Sequence, residues 1–152
     1  MYLKEYLKKF KNQKIKIYVD MDGVIADYEV GTPRDFDKKR PLISNISKLE
    51  DISKMDNVEL FILSITRMDQ GYEEKNIWLD IHAPFFKKEN RVIISRESND
   101  FASSYDLKTN YLKKLERDGS ILIVIDDDPI VLTKIAEKNE DVYPLKDTAL
   151  VD

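Results

Sequence analysis

The sequence predicts an α/β fold in which helices cover both faces of a mostly parallel β-sheet. Short apolar segments with a strand-like pattern alternate along the chain with longer segments in which apolar residues recur at helical spacing. One of the short segments, Ile121–Ile125, is apolar without interruption, as expected for a strand covered on both faces. Together these features are typical of three-layer, Rossmann-like domains.

The individual elements follow from these two periodicities. Ile15, Ile17 and Val19 alternate with Lys16 and Tyr18, which indicates a strand. The predicted strands cover residues 15–19, 58–63, 92–94, 121–125 and 142–145. The predicted helices cover residues 2–11, 44–56, 72–82, 107–115 and 129–138. The longest predicted loop is the polar stretch at residues 95–106.

We expect one domain over residues 1–152, because no repeat, low-complexity tract or linker divides the chain. Its basic amphipathic start covers residues 1–14, and residues 28–40 form a short loop. Trp78 and His82 are interpreted as packing residues on the third helix.

Composition excludes several kinds of site. There is no cysteine, so disulfides, thiol nucleophiles and cysteine-bound zinc are excluded, and one histidine cannot form a histidine metal cluster. Any bound metal should therefore be a hard cation held by carboxylates. Apolar runs are too short to span a bilayer, and the first residues lack the pattern of a signal peptide. We therefore expect a cytoplasmic protein without a membrane partner.

The charge is unevenly distributed. The net charge is −4, yet residues 1–16 carry six lysines and one glutamate. This basic segment is either a solvated helix face or a contact for nucleic acid.

Three predicted strands end in residues capable of chemistry, namely Asp20, Ser64 and Asp126. In a parallel sheet these carboxyl ends lie along one edge, where ligands bind in such folds. We therefore expect the three residues to meet in one crevice.

Each strand end begins a polar cluster. Asp20 and Asp22 in DMDGV can project to the same side, with Gly23 allowing a tight turn, and can divide attack and proton transfer between them. Residues 64–67 offer hydroxyls and backbone N–H groups for phosphate oxygens. Residues 126–128 add carboxylates, which would repel without a cation such as Mg²⁺. Asp128 precedes a proline and is interpreted as a helix start.

These clusters, in this order, resemble the haloacid dehalogenase (HAD) superfamily of phosphatases. DMDGV, LSIT, a lysine on a later helix and IDDDP each follow the expected element, and the resemblance covers residues 15–145. It implies a Mg²⁺-dependent phosphomonoester hydrolase. Asp20 would attack phosphorus and form an aspartyl-phosphate, Asp22 would act as acid and base, and Ser64 would bind phosphoryl oxygens.

The resemblance also implies a metal site and a catalytic lysine. Mg²⁺ would be held by Asp20, the backbone carbonyl of Asp22, Asp126 and Asp127. Lys108 lies 18 residues before Asp126, as is usual for the third motif of the superfamily. Lys75, in EEKNIW, instead matches the lysine of deoxyribonucleotidase-type members, so both lysines stay open and Lys108 is preferred. Expected substrate contacts are Thr66, Arg67, Lys75, Arg96 and Tyr28.

The substrate class rests on two groups within the superfamily. The short segment at residues 28–40 leaves no room for a helical cap domain, which resembles the 3′-phosphatase domain of phage-type polynucleotide kinase. DMDGVIADY and VIISRE are similar to the 5′(3′)-deoxyribonucleotidases, which carry a larger cap. Both groups act on nucleotide phosphates, so a nucleotide or a polynucleotide 3′- or 5′-phosphate is the expected substrate.

Two other functions stay open. One is a HAD phosphatase of small sugar or metabolite phosphates, and the other is a non-catalytic, receiver-like signalling module. Receiver domains accept phosphate on an aspartate after a later strand, where this chain has Ser64 and Ser95.

Overall fold

Helices and strands alternate strictly along the residues that the computed structural model describes, which are 2–27 and 36–151. The helices are α1 (Leu3–Lys9), α2 (Ile43–Ser53), α3 (Gln70–His82), α4 (Ser104–Lys114) and α5 (Pro129–Lys138). The strands are β1 (Ile15–Val19), β2 (Val58–Thr66), β3 (Arg91–Ser95), β4 (Ile121–Asp126) and β5 (Val142–Lys146). Every predicted helix and strand is therefore present.

The five strands form one sheet in the order β3-β2-β1-β4-β5, and all four neighbouring pairs are parallel. The chain moves outwards from β1 to β3 and then crosses to β4 on the other side of β1. This reversal creates a crevice beyond the carboxyl ends of β1 and β4. Val19 is paired with Ile125, so Asp20 and Asp126 are the next residues on adjacent strands.

Helices cover both faces of the sheet, as predicted. On one face Leu7 of α1, Leu49 of α2 and Trp78 of α3 pack in a core cluster with strand residues that include Ile123. The helices α4 and α5 contribute to a second cluster that contains alternate strand residues such as Val124. Burying apolar surface on both faces stabilises the central strands most strongly.

The end of β2 lies further along the chain than predicted. The strand β2 was expected to end at Leu63, but its backbone pairing with β3 continues to Thr66, which lies opposite Ser95. The apolar run is interrupted at Ser64, whereas the hydrogen-bonded ladder continues. Ser64 therefore lies inside the strand and is fully buried.

Side-chain caps explain where the last two helices begin. The Ser103 hydroxyl accepts a hydrogen bond from the Asp106 N–H at 3.3 Å, so α4 begins within the predicted loop. The Asp128 carboxylate accepts one from the Ile130 N–H at 2.9 Å, which confirms its interpretation as a helix start. This cap places the preceding carboxylates at the crevice.

The segment after the first motif is anchored to α3. Trp78 is fully buried, as predicted, and its indole N–H donates to the Lys39 carbonyl at 2.9 Å. Residues 36–38 form a single 3-10 turn. Tyr28 lies outside the described residues. Within the described parts of the chain, no helix has both the length and the apolar character needed to cross a membrane.

The sheet core should dominate stability. We expect Ile123→Ala to lower the free energy of unfolding by about 2–5 kcal/mol, because Ile123 is fully buried in β4. The matched control is Ile130→Ala at a side chain that is 58% exposed, with an expected change within about 0.5 kcal/mol. Urea unfolding measures both, and equal midpoints would contradict the proposed core.

Candidate active site

A crevice of about 360 Å³ lies at the carboxyl ends of β1 and β4. Asp20, Asp22, Lys108, Asp126 and Asp127 are among the residues that line it. Asp20 follows β1 directly, and its N–H donates to the Ile125 carbonyl of β4 at 2.9 Å. Parallel pairing thus brings together acidic residues that are more than a hundred positions apart in the sequence.

Three side chains form a carboxylate cluster at the floor of this crevice, namely Asp20, Asp126 and Asp127. One oxygen from each lies within 4.8 Å of one from each of the others. Gly23 makes this approach possible, because it adopts a φ of +80° and a Cβ there would overlap the Asp127 carboxylate. The requirement for glycine at this position is therefore both conformational and steric.

Burial makes ionisation of this cluster unfavourable. Loss of hydration raises the pKa of Asp20 to about 6, with Lys108 opposing the shift and Asp126 adding to it. Burial, followed by repulsion from Asp20, raises the pKa of Asp127 to about 6. Burial also raises the pKa of Asp126. Loss of hydration is thus the main reason why the three carboxyls resist ionisation.

Lys108 is the lysine that contacts the cluster. Its Nζ lies 3.0 Å from Asp20 Oδ1 and 2.5 Å from Asp126 Oδ2, and its side chain is almost completely buried. Burial alone would lower the pKa of Lys108, but attraction to the two carboxylates outweighs it and raises the pKa above its usual value. Lys108 is therefore held as a cation beside Asp20.

Lys75 has different partners. Its Nζ donates to Ser64 Oγ at 2.7 Å and to the Ile65 carbonyl at 2.8 Å, and it lies 3.5 Å from Asp22 Oδ2. Burial lowers the pKa of Lys75, although Asp22 and Asp20 oppose this shift. Lys75 and Ser64 thus form one buried polar unit next to the DMDGV turn, and Lys108 lies nearer to Asp20.

Asp22 lies between two ammonium groups. Besides Lys75, it forms an ion pair with Lys39, a residue that sequence analysis did not predict. The Trp78 indole fixes the Lys39 backbone, so this pairing depends on a contact between distant segments. Nothing in the loop composition of residues 28–40 marks Lys39 in the sequence.

The remaining predicted substrate residues lie away from the carboxylate cluster or are engaged elsewhere. The Thr66 hydroxyl is largely buried and donates to the Met68 carbonyl at 3.1 Å. Arg67 is exposed at the end of β2. The Arg96 guanidinium donates to the Ala102 and Phe101 carbonyls at 2.8 and 3.0 Å, which stabilises the loop before α4.

Comparison with known proteins supports the fold. Neither a protein-family model nor a curated protein matches the sequence. One chain of the Pnkp1/Rnl/Hen1 RNA repair complex matches in structure with a TM-score of 0.67 and 14% identity. The match covers 89% of this chain but 43% of that one, so this chain spans less than half the length of that relative.

A second solved structure has similar architecture. The HAD domain of the effector protein Lem4 from Legionella pneumophila matches with a TM-score of 0.52 and 14% identity, covering 88% of this chain and 85% of that chain. An inactive mutant of the same domain matches with a TM-score of 0.55 and 15% identity. The resemblance to the HAD superfamily is thus confirmed at the level of the fold.

The raised pKa of Asp127 predicts a stability effect without metal. Because folding raises this pKa from 3.8 to about 6, the ionised carboxylate destabilises the folded protein above pH 6, and the effect disappears below about pH 4. We expect Asp127→Asn to stabilise chelator-treated protein at pH 7.5 by on the order of 1 kcal/mol, since the half-exposed group is partly screened by solvent. Urea unfolding at pH 7.5 and at about pH 4 measures this gain in the free energy of unfolding, with the exposed Asp51→Asn as control. A gain in stability that is equal at both pH values would contradict ionisation of the half-buried Asp127 carboxyl as its cause.

Proposed function

We propose that the chain is a Mg²⁺-dependent phosphomonoester hydrolase that acts through an aspartyl-phosphate on Asp20. The observation that carries the proposal is the position of Asp20, at a strand end in the carboxylate cluster and 3.0 Å from the buried Lys108 ammonium. A HAD-type fold is consistent with this chemistry. Positioning and positive charge account for most of the catalysis of phosphoryl transfer.

The side chains of the carboxylate cluster suit Mg²⁺. They present only oxygen, which hard divalent cations prefer, and burial raises their pKa values, so that a bound cation would favour the ionised carboxylates. Asp20, Asp126 and Asp127 would hold the ion, with the backbone carbonyl of Asp22. Bound Mg²⁺ would neutralise charge on the phosphoryl oxygens.

Asp20 and Asp22 would divide the reaction between them. An Asp20 carboxylate oxygen forms a bond to phosphorus while the bond from phosphorus to the leaving oxygen breaks. Asp22 would deliver a proton to that leaving oxygen. In the second step Asp22 takes a proton from water, whose oxygen bonds to phosphorus and releases Asp20 and inorganic phosphate.

The two buried lysines would have separate roles. Lys108 keeps Asp20 ionised for attack, since burial alone raises the pKa of that carboxyl. Lys75 orients the Ser64 hydroxyl, to which it donates at 2.7 Å. Ser64 would then bind a phosphoryl oxygen through its hydroxyl proton, because accepting from Lys75 leaves that proton free to donate.

We propose a nucleotide or polynucleotide phosphate as the substrate class. The segment between β1 and α2 contains one 3-10 turn among its described residues and is too short overall for a cap domain. A cleft of this kind can admit the end of a long chain. Structural similarity to a chain of an RNA repair complex is in accord with this substrate class.

Removing the nucleophile should abolish turnover. We expect Asp20→Asn to lower kcat for a generic aryl phosphate with Mg²⁺ by at least about a thousandfold, because the amide cannot form the acyl phosphate. The exposed Asp51→Asn is the matched control and should keep full activity. Phosphate release assays measure both, and equal rates in Asp20→Asn and wild type would refute the proposed chemistry.

The lysines can be separated by the same assay. We expect Lys108→Gln to lower kcat by at least about a hundredfold, because it removes the charge that contacts Asp20. Lys75→Gln should have a smaller effect on kcat, since this amide can still contact Ser64. Circular dichroism checks that both variants fold, and the reverse ranking would assign the catalytic role to Lys75.

A further inference from the structure

A second groove runs along the outer surface between α4 and α5, where the two helices pack together. Its cavity has a volume of about 280 Å³, and Lys113 of α4 and Lys134 and Lys138 of α5 contribute to its walls. Asp106 also lines the cavity, so the basic lining residues outnumber the acidic ones. The groove therefore has the charge that an anionic ligand requires.

These lysines are largely available to a ligand. Lys113 and Lys138 are exposed, and neither forms an ion pair within residues 2–27 and 36–151. Lys134 makes a long contact of 3.8 Å with Glu137, and both side chains are about half exposed. Pairs of this kind contribute little energy and are readily exchanged for another anion.

A buried polar group in the same groove has no partner. Thr109 is 5% exposed and lines the cavity, and its hydroxyl forms no hydrogen bond with any described residue. Buried hydroxyls are almost always satisfied, because leaving one unpaired is unfavourable. The hydroxyl oxygen itself is inaccessible from the groove, so recognition of an anion there depends on the lysines.

The groove and the proposed catalytic crevice are lined by neighbouring residues of the same two helices. Ser104 and Lys108 line the crevice, and Tyr105 and Thr109 follow them directly on α4 and line the groove. On α5, Pro129 lines the crevice, and the lysines at 134 and 138 lie about 8 and 14 Å further along the axis. That span corresponds to roughly two to four nucleotides of a stacked strand.

We propose that this groove binds the sugar–phosphate backbone of a single-stranded polynucleotide whose terminal phosphate lies in the crevice. Lys113, Lys134 and Lys138 contact backbone phosphates, and Tyr105, which is 37% exposed, offers a ring on which a base can stack. The inference rests on the proposed function. It narrows the proposed substrates from nucleotide or polynucleotide phosphates to the phosphorylated ends of polynucleotides.

The test compares two triple variants that remove equal charge. Lys113→Ala/Lys134→Ala/Lys138→Ala removes the groove lysines, and Lys4→Ala/Lys8→Ala/Lys11→Ala removes exposed lysines from the basic first segment. Substrates are 3′- and 5′-phosphorylated hexanucleotides, the corresponding mononucleotides and a generic aryl phosphate, all with Mg²⁺. Fluorescence anisotropy with an unphosphorylated hexanucleotide measures binding without turnover.

We expect the triple variant that lacks the groove lysines, the groove variant, to raise KM for the preferred hexanucleotide at least about tenfold at low salt. Its kcat for the hexanucleotide and its KM and kcat for the mononucleotides and the aryl phosphate should be unchanged. The slope of log affinity against log salt should fall by about 2, for three lost phosphate contacts. The first-segment variant should match the wild type. An equal loss of hexanucleotide affinity in both triple variants would overturn the assignment of the groove. An equal rise in KM for mononucleotides and hexanucleotides would also overturn it.

Tyr105→Ala provides a second, independent measurement. It should keep the fold, because the side chain is 37% exposed, and should weaken hexanucleotide binding severalfold, because it removes the ring on which a base stacks. Unchanged binding in both this variant and the groove variant would refute the inference. A protein that hydrolyses none of the phosphates but binds the hexanucleotide through these lysines would refute the proposed function and not the groove.

Discussion

Electrostatic repulsion at the carboxyl ends of β1 and β4 is the constraint on which the rest of this site depends. Asp20, Asp126 and Asp127 are brought within 4.8 Å of one another, and the Lys108 ammonium is the cation that contacts two of them. Burial strengthens both the repulsion and the attraction, because the local dielectric constant is low. The arrangement is therefore compatible with a metal site, since a bound cation would offset the charge of the three carboxylates.

The three-layer architecture supplies the two buried lysines from opposite sides. Lys75 belongs to α3, which packs with the first core cluster, and Lys108 belongs to α4, which packs with the second. Each lysine reaches over the end of the sheet from its own layer and meets a different aspartate. This separation allows one lysine to balance the charge of Asp20 and the other to organise Ser64 and Asp22.

The helix α4 connects catalysis with recognition in the proposed function. Residues four apart lie on one side of a helix, so Ser104 and Lys108 share the crevice while Tyr105 and Thr109 share the groove beside it. The Ser103 cap sets where α4 begins and hence the register of both faces. A polynucleotide bound in the groove would therefore be aligned with its reacting phosphate by the single helix α4.

The sequence by itself determined the order of the elements and the meeting of Asp20 with Asp126, because hydrophobic periodicity is local and parallel strands end along one edge. It did not determine that β2 continues past Leu63, since backbone pairing with β3 leaves no trace in the apolar pattern. Only the tertiary structure brought Lys39 to Asp22, because the Trp78 indole N–H, 39 positions away, donates a hydrogen bond to the Lys39 carbonyl. Contacts of this kind depend on packing between elements, which no local pattern of residues encodes.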